Sequence, residues 1–460
     1  MTEARVRGGM RPQPVSIVGA GLAGALLAVL LARRGFAVTV YDKRPDPRDA
    51  SHDGGRSINL ALAARGIRAL EHAAIMEHVR PFALPMRGRC IHVREGGTHL
   101  QPYGQRPHEI NYSVGRAALN RTLVEEAARH ANVTLRFAHS CLAVRPDDGV
   151  LELRDEQTGD VHEAPLAPSI ATDGAGSAVR RSLEQAGYVA VREELLDHDY
   201  KELTIPPVQG RYAMDSAALH IWPRGGFMLI ALPNPDASFT ATLFLPKRGA
   251  VSFEALQDAA AVRELFAREF ADVLPLMPAI ERELAAHPRG EMGTIRAGPW
   301  HVRGDVLLLG DAAHAIVPFH GQGMNAAFED CVLLDALLDR CSDWQTLFGE
   351  FERIRRPDAA AIAAMALENY LEMRDTVLDP RFQRQKALAL ELERRHPDRF
   401  IPRYSMVMFH PEIGYAEAQR RGAVQSRILD ELDAAAAGGT PDFDAAARLV
   451  EERLPPLSTT

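Results

Sequence analysis

Pro14-Val15-Ser16-Ile17-Val18-Gly19-Ala20-Gly21-Leu22-Ala23-Gly24 passes from a β-branched run through three glycines into a Leu- and Ala-rich segment. The pattern predicts a strand over 14–18, a tight turn, a helix to about residue 34 and a second strand from Ala37 to Tyr41. This β-α-β start opens a parallel sheet. Glycines at these spacings allow the turn, close approach of the backbone to a pyrophosphate and close helix packing, while the helix N-terminus offers N–H donors to the phosphates. Asp42, ending the second strand, is placed to accept from a ribose hydroxyl. Gly19, Gly21, Gly24 and Asp42 are thus the expected dinucleotide-binding residues, with a glycine-rich packing turn as the alternative; the pattern does not say which dinucleotide.

The run from Pro14 to Ala32 carries no charge and has about the length a bilayer requires. Its glycines divide it into two elements, so a spanning helix is not expected. No targeting signal or apolar C-terminal anchor is legible, and a cytoplasmic protein is expected. The 460 residues are 46% hydrophobic and 25% charged, which suits a globular chain of about three structural units. A net charge of −8 argues against nucleic acid or an anionic membrane as partner. Of 53 basic residues only Lys43, Lys201, Lys247 and Lys386 are lysines, so a lone Arg is weak evidence for a site. Cys90, Cys141, Cys331 and Cys341 are scattered, and the 17 histidines show no H-E-x-x-H or other close ligand spacing. Neither a disulfide framework nor a metal is expected.

Farther along, Ala218 to Trp222, Phe227 to Leu232 and Phe239 to Leu245 are short strand-like runs separated by Pro223-Arg224-Gly225-Gly226 and Pro233-Asn234-Pro235, the pattern of an antiparallel meander. Helical patterns follow over 252–286, a buried strand over 306–309 and a helix over 323–338. Composition then favours helices to about 436, ahead of a tail.

Two further motifs carry chemistry. Asp173-Gly174-Ala175-Gly176-Ser177-Ala178-Val179-Arg180 follows an apolar run and reads equally as a helix-capping turn with an incidental Arg. Leu309-Gly310-Asp311 ends a strand with a carboxylate suited to ribityl hydroxyls; Pro318-Phe319-His320-Gly321-Gln322-Gly323-Met324-Asn325 then opens a helix whose N-terminus suits the pyrimidine end of a flavin.

In this order and spacing the three motifs resemble the FAD-binding set of the single-component flavoprotein monooxygenases, the FAD-dependent aromatic hydroxylases. Gly55 to Leu62, Glu202 to Pro207, Leu219 to Arg224, Pro318 to Asp330 and Asn369 to Arg374 are similar, more specifically, to the kynurenine 3-monooxygenase branch of that group. The resemblance implies an α/β fold: a Rossmann-like FAD-binding domain (1–80, 106–185 and 290–345) with an inserted antiparallel β-sheet substrate domain (81–105 and 186–289), a C-terminal helical region (346–440) and a tail (441–460). It implies bound FAD, NADPH as co-substrate, and hydroxylation of L-kynurenine to 3-hydroxykynurenine with O2 through a flavin hydroperoxide, in tryptophan degradation. A homodimer is an open expectation. A hydroxylase of another aromatic acid, or a non-catalytic flavoprotein, are the alternatives.

For the substrate carboxylate the resemblance points to Arg89, Tyr103, Asn369 and Tyr404, with Met373 nearby. On residue type alone these read as a solvated strand residue, amphipathic packing and a helix-surface amide. The ring needs an apolar slot that excludes water, for which strand alternation offers Met228, Ile230 and Leu232, joined by Phe244; packing of the sheet core is the other reading. Pro318, Phe319 and His320 are expected at the reacting end. His320, where eukaryotic relatives carry an aromatic residue, is open between hydrogen-bonding the substrate ketone and filling space. Arg116, Asp173 and Asp311, with Gly323, Met324, Asn325 and Arg56, complete the expected flavin contacts.

Overall fold

Pro14–Val18 forms the first strand, leading into the helix Leu22–Arg33 and the strand Ala37–Asp42. The computed structural model describes residues 9–49, 59–436 and 442–457 and divides the chain into two compact units, 1–83, 114–195 and 293–363 in one, 84–113, 196–292 and 364–460 in the other. In the first unit six strands pair in the order His301–Val302, Val306–Leu308, Ser169–Ala171, Pro14–Val18, Ala37–Asp42 and Val133–Phe137. All pairs are parallel except that of the edge strand His301–Val302. The first helix is buried from Gly24 through Ala32, which accounts for the uncharged run: it is apolar all round because protein surrounds it. Among the described residues no helix is long and apolar enough to cross a membrane.

The order of winding decides where a ligand goes. From Pro14–Val18 the chain builds outward through Ala37–Asp42 and Val133–Phe137, then adds Ser169–Ala171 and Val306–Leu308 on the other side. The reversal falls between Pro14–Val18 and Ser169–Ala171, and open α/β sheets bind ligands beyond the carboxyl ends of the strands at such a point.

In the second unit, Ala218–Pro223, Met228–Pro233 and Phe239–Pro246 make the predicted antiparallel meander. The sheet is not antiparallel throughout. Gly88–His92 joins Ala218–Pro223 in parallel and carries Thr98–Pro102 on its other side, because a strand supplied from far away in sequence is not bound to hairpin geometry. One face packs Leu203, Trp222, Leu229, Ala231, Leu243 and Leu245 against Val262, Leu265 and Phe266 of the helix Ala259–Glu269. The helical stretch expected over 252–286 is interrupted at Pro275 and Pro278, which cannot continue a helix, and resumes at Ile280–Ala286.

The expected tail is instead a folded element. Asp442 accepts from the N–H groups of Asp444 and Ala445 and starts the helix Phe443–Arg453. Ala446, Val450 and Leu454 lie one turn apart and pack with Leu388, Leu392, Phe400, Ile428 and Leu432. A stripe of three apolar residues among charged neighbours is a faint sequence signal.

Candidate active site

In the first unit, four motif positions lie at carboxyl ends of neighbouring strands. Asp42 ends Ala37–Asp42, Gly19 follows Pro14–Val18, Asp173 comes two residues after Ser169–Ala171, and Asp311 three after Val306–Leu308. Gly19 has φ +106° and lies against Thr172, where a Cβ would meet the carbonyl oxygen at 2.6 Å. At Gly24 a Cβ would stand 1.9 Å from the Gly19 carbonyl oxygen, whereas at Gly21 it would meet open space. The helix starting beside Gly21 has no side-chain cap, so its first N–H groups are left for a ligand.

Asp173 caps a helix, as its motif allowed. Its Oδ2 accepts from the N–H of Ala178 at 2.7 Å, holding the start of the helix Ala178–Gln185, while Oδ1 is buried with no hydrogen-bond partner and burial pushes the carboxyl up. Arg180 is not incidental: it donates to the carbonyls of Ala175 and Ala312, tying this loop to the one that carries Asp311. Asp42 is already engaged. It accepts from Ala20 N–H at 2.7 Å and from the backbone and guanidinium of Arg44, whose bonds hold the carboxyl below its usual range although burial opposes ionisation. Arg44, which sequence reasoning passed over, therefore shares Asp42 with any ribose hydroxyl.

Gly310 has φ +62°, and Asp311 follows it with an accessible side chain whose carboxyl is pushed up by the surrounding protein against the pull of His314 and Arg116. A Cβ on Gly323 would come within 4.0 Å of Asp311 Oδ1, so this carboxylate and the N-terminus of the helix Gly323–Leu337 meet. Asn325 has its amide committed: Oδ1 accepts from Ala63 N–H, and Nδ2 donates to the carbonyls of Ala61 and Gly321. It shapes the loop. Met324 is half-buried beside it; Pro318 is exposed on a short turn in which Phe319 and His320 are buried. Asp330 and Arg355, also missed, form a buried ion pair beneath this loop, with Asp330 accepting from Gly310 N–H and from His314. Arg56 lies outside the described residues.

These features fit a flavin dinucleotide. An orphaned buried acceptor at Asp173, open space over Gly21 and an uncapped helix N-terminus call for a ligand with hydroxyl donors and a pyrophosphate.

In the second unit the expected carboxylate set comes together. Arg89 is 5% exposed; its Nη1 donates to Glu372 Oε1 at 3.1 Å, its Nη2 lies 3.4 Å from Asn369 Oδ1, and its guanidinium sits 4.8 Å from the centre of the Tyr404 ring. Tyr103 stacks on Tyr404 with centroids 5.9 Å apart, and Asn111 Nδ2 approaches the Tyr404 hydroxyl at 3.5 Å. Burial pushes both phenols up, so they remain neutral donors. Asn369 also donates to the sulfur of Met373, within a π-helical turn over Glu372–Thr376. That turn is held by Gly225 N–H on the Arg374 carbonyl and Gly226 N–H on Asp375. Such single π turns recur at functional sites.

Strand register decides which residues share a face with Arg89. Residues directly opposite one another share a face, and Leu219 opposes Arg89, Ile221 opposes both Ile91 and Ile230, and Phe244 opposes Met228. Met228, Ile230, Leu232 and Phe244 therefore line the same face as Arg89, while Leu229 and Ala231 point into the helix-packed core. Gln101 stands opposite Arg89 on this face with both ends of its buried amide unpaired; Arg89 Nε and Asn111 Oδ1 are likewise buried without partners. Lys386 is the other residue missed here. Burial, aided by the charge of Arg89 and opposed by Glu372, pushes its ammonium down to about 7.

Residues 13–363 match the family described as FAD binding domain. A protein of Stenotrophomonas maltophilia named kynurenine 3-monooxygenase is 48% identical over 416 residues, covering 90% of this chain and 91% of that one. The chain belongs to the kynurenine 3-monooxygenase family. Another member, from Xanthomonas oryzae pv. oryzae, is 46% identical over 448 residues, 97% of this chain and 98% of its own. Among solved structures, the family fold is shared with 2-methyl-3-hydroxypyridine-5-carboxylic acid oxygenase, with a TM-score of 0.64 at 21% identity over 80% of this chain and 95% of that chain. PqsL of Pseudomonas aeruginosa shares it with the same TM-score and identity over 79% of this chain and 96% of its own.

Proposed function

We infer that this protein is an FAD-dependent monooxygenase that hydroxylates L-kynurenine on the ring carbon ortho to its amine, consuming NADPH and O2. The observation that carries the assignment of substrate residues is the pairing of buried Arg89 with half-buried Glu372 beside unpaired polar atoms of Arg89, Gln101 and Asn111. An amino-acid zwitterion presents one carboxylate and one ammonium. Arg89, with Asn369 and the Tyr103 and Tyr404 hydroxyls, takes the carboxylate; Glu372 takes the ammonium.

With its tail held there, the aniline ring lies along Met228, Ile230, Leu232 and Phe244, whose side chains leave water little to hydrogen-bond. FAD, bound by the first unit and reduced by NADPH, supplies the oxygen-transfer chemistry. Gly19, Gly21, Gly24, Asp42, Arg116, Asp173, Asp311, Gly323 and Met324 hold it, and Pro318, Phe319 and His320 are assigned to its reactive ring. The ring carbon is already electron-rich through its amine, so the protein's work is positioning and exclusion of water. The setting proposed is the cytoplasm.

The deciding experiment is reduction of the purified yellow protein by NADPH without oxygen, with and without L-kynurenine, followed by admission of oxygen and mass analysis. Faster reduction with kynurenine and a product heavier by one oxygen atom are expected. Reduction indifferent to kynurenine, or oxygen incorporated only into another aromatic acid, overturns the assignment.

A further inference from the structure

On the face of the sheet opposite Arg89, the strands Gly88–His92 and Ala218–Pro223 bring Cys90, His92 and His220 together, with Sγ and one ring nitrogen of each histidine all within 4.8 Å of one another. Cys90 and His92 are two apart on one strand, so they share a face, and His220 is the register partner of Cys90. Spacing along the chain shows only a C-x-H.

The outward ring nitrogens are both spoken for. His92 Nδ1 lies 2.8 Å from Asp272 Oδ2, and His220 Nε2 lies 2.8 Å from the Asp215 carbonyl oxygen. A carboxylate and a carbonyl accept only, so each imidazole places a proton outward. The inward nitrogens, His92 Nε2 and His220 Nδ1, are 2.9 Å apart. In neutral rings both are then lone pairs pointed at each other, an arrangement that something positive must hold. Both rings are fixed in place: His92 stacks on Trp222 with centroids 4.0 Å apart, Trp222 Nε1 donates to Asp272, and His220 meets Phe239 edge-on.

We propose that Cys90, His92 and His220 form a binding site for a divalent zinc-type ion. Each histidine that ligates such an ion characteristically donates its other ring N–H to a carboxylate or backbone carbonyl, as Asp272 and the Asp215 carbonyl accept here. The thiolate and the Asp272 carboxylate balance the two positive charges. Tetrahedral ligation at about 2.0 Å sets two nitrogens about 3.3 Å apart, so the rings separate by about 0.4 Å and turn their lone pairs toward the ion while Cys90 Sγ closes in from within 4.8 Å. Three protein ligands leave the fourth position open. The ion pins two strands at the residues that follow Arg89 and Leu219, fixing the sheet behind the substrate face. It takes no part in oxygen transfer.

The test uses the full-length, FAD-loaded protein, stripped with a chelator and titrated with Zn²⁺ against a chromophoric zinc indicator, with zinc-edge X-ray absorption on the loaded sample. One ion per chain with one sulfur and two imidazole nitrogens is expected. Cys90→Ser should remove the sulfur scatterer, and Asp272→Asn should weaken binding by about 10–100-fold. Cys141→Ser should change nothing. No stoichiometric zinc on the wild-type protein, the outcome if a shared proton alone bridges the two rings, overturns the proposal. So does zinc bound with unchanged affinity and ligands in Cys90→Ser. The wild-type measurement decides even if a variant fails to fold.

Discussion

Arg89 and Glu372, 283 positions apart, meet through Nη1 donating to Oε1 at 3.1 Å, with the Arg89 side chain 6% exposed and that of Glu372 26%. A guanidinium taken out of water needs an opposite charge, and here the charge that satisfies it is also the group proposed to receive the substrate ammonium.

Glu372→Gln separates these two roles. For L-kynurenine, KM should rise about 10-fold, the loss of one charged hydrogen bond worth roughly 1.5 kcal/mol. For the analogue lacking the α-amino group KM should fall, since the carboxylate competing for Arg89 is gone. Equal changes with both ligands would show that Glu372 does not contact the ammonium.

Arg89→Ala should raise the KM for kynurenine by roughly 10–100-fold, the range for a lost charged contact. Its effect on kcat should be small, because a tail contact remote from the reacting carbon binds ground and transition states alike. FAD content, measured by absorbance, should not change.

Lys386, one of four lysines in the chain, gives the site a pH dependence. With its ammonium near 7 in the folded protein, the folded chain binds fewer protons than the unfolded one from about pH 7 to the ordinary lysine value near 10.4, so this group's contribution to stability rises with pH across that window. For binding the sign is opposite. The charged form adds to the pull of Arg89 on a carboxylate, so the KM for kynurenine should climb as pH rises through about 7. Lys386→Met should raise KM at low pH and flatten that limb; an unaltered KM–pH profile would remove Lys386 from the site.

The glycines of the first turn predict two different failures. Gly24→Ala forces a Cβ to 1.9 Å from the Gly19 carbonyl oxygen and should lower the melting temperature of the flavin-free protein as well as its FAD content. Gly21→Ala meets nothing within 4 Å, so the flavin-free melting temperature should hold while FAD affinity drops. Thermal melts with and without FAD distinguish the two.

Much of the first unit is legible in the chain because its signals are local. A glycine spacing between a strand and a helix, and an acid at the end of the next strand, are fixed within about 30 residues by backbone sterics and the burial each element needs. The meander at 218–246 is equally local: three short runs bounded by Pro, Gly and Asn. The final helix was hidden because its three buried residues gain their stability from partners at 388–432.

The candidate site divides the same way. Arg89, Tyr103, Asn369 and Tyr404 were reachable by resemblance, but Glu372, Gln101, Asn111 and Lys386 carry no motif of their own; burial beside Arg89 gives each its meaning. Whether Met228 or Leu229 shares a face with Arg89 turns on a period of two that reads identically from either side, and helix packing on the Leu229 face settles it. The pairing of His220 with Cys90 is likewise a matter of strand register, since hydrogen bonding between strands joins residues that no sequence interval relates. By itself the sequence determined the flavin-binding architecture and the kind of molecule the protein handles; the tertiary structure alone decided which charges face each other in the dark of the sheet, because desolvation and pairing exist only after distant segments have met.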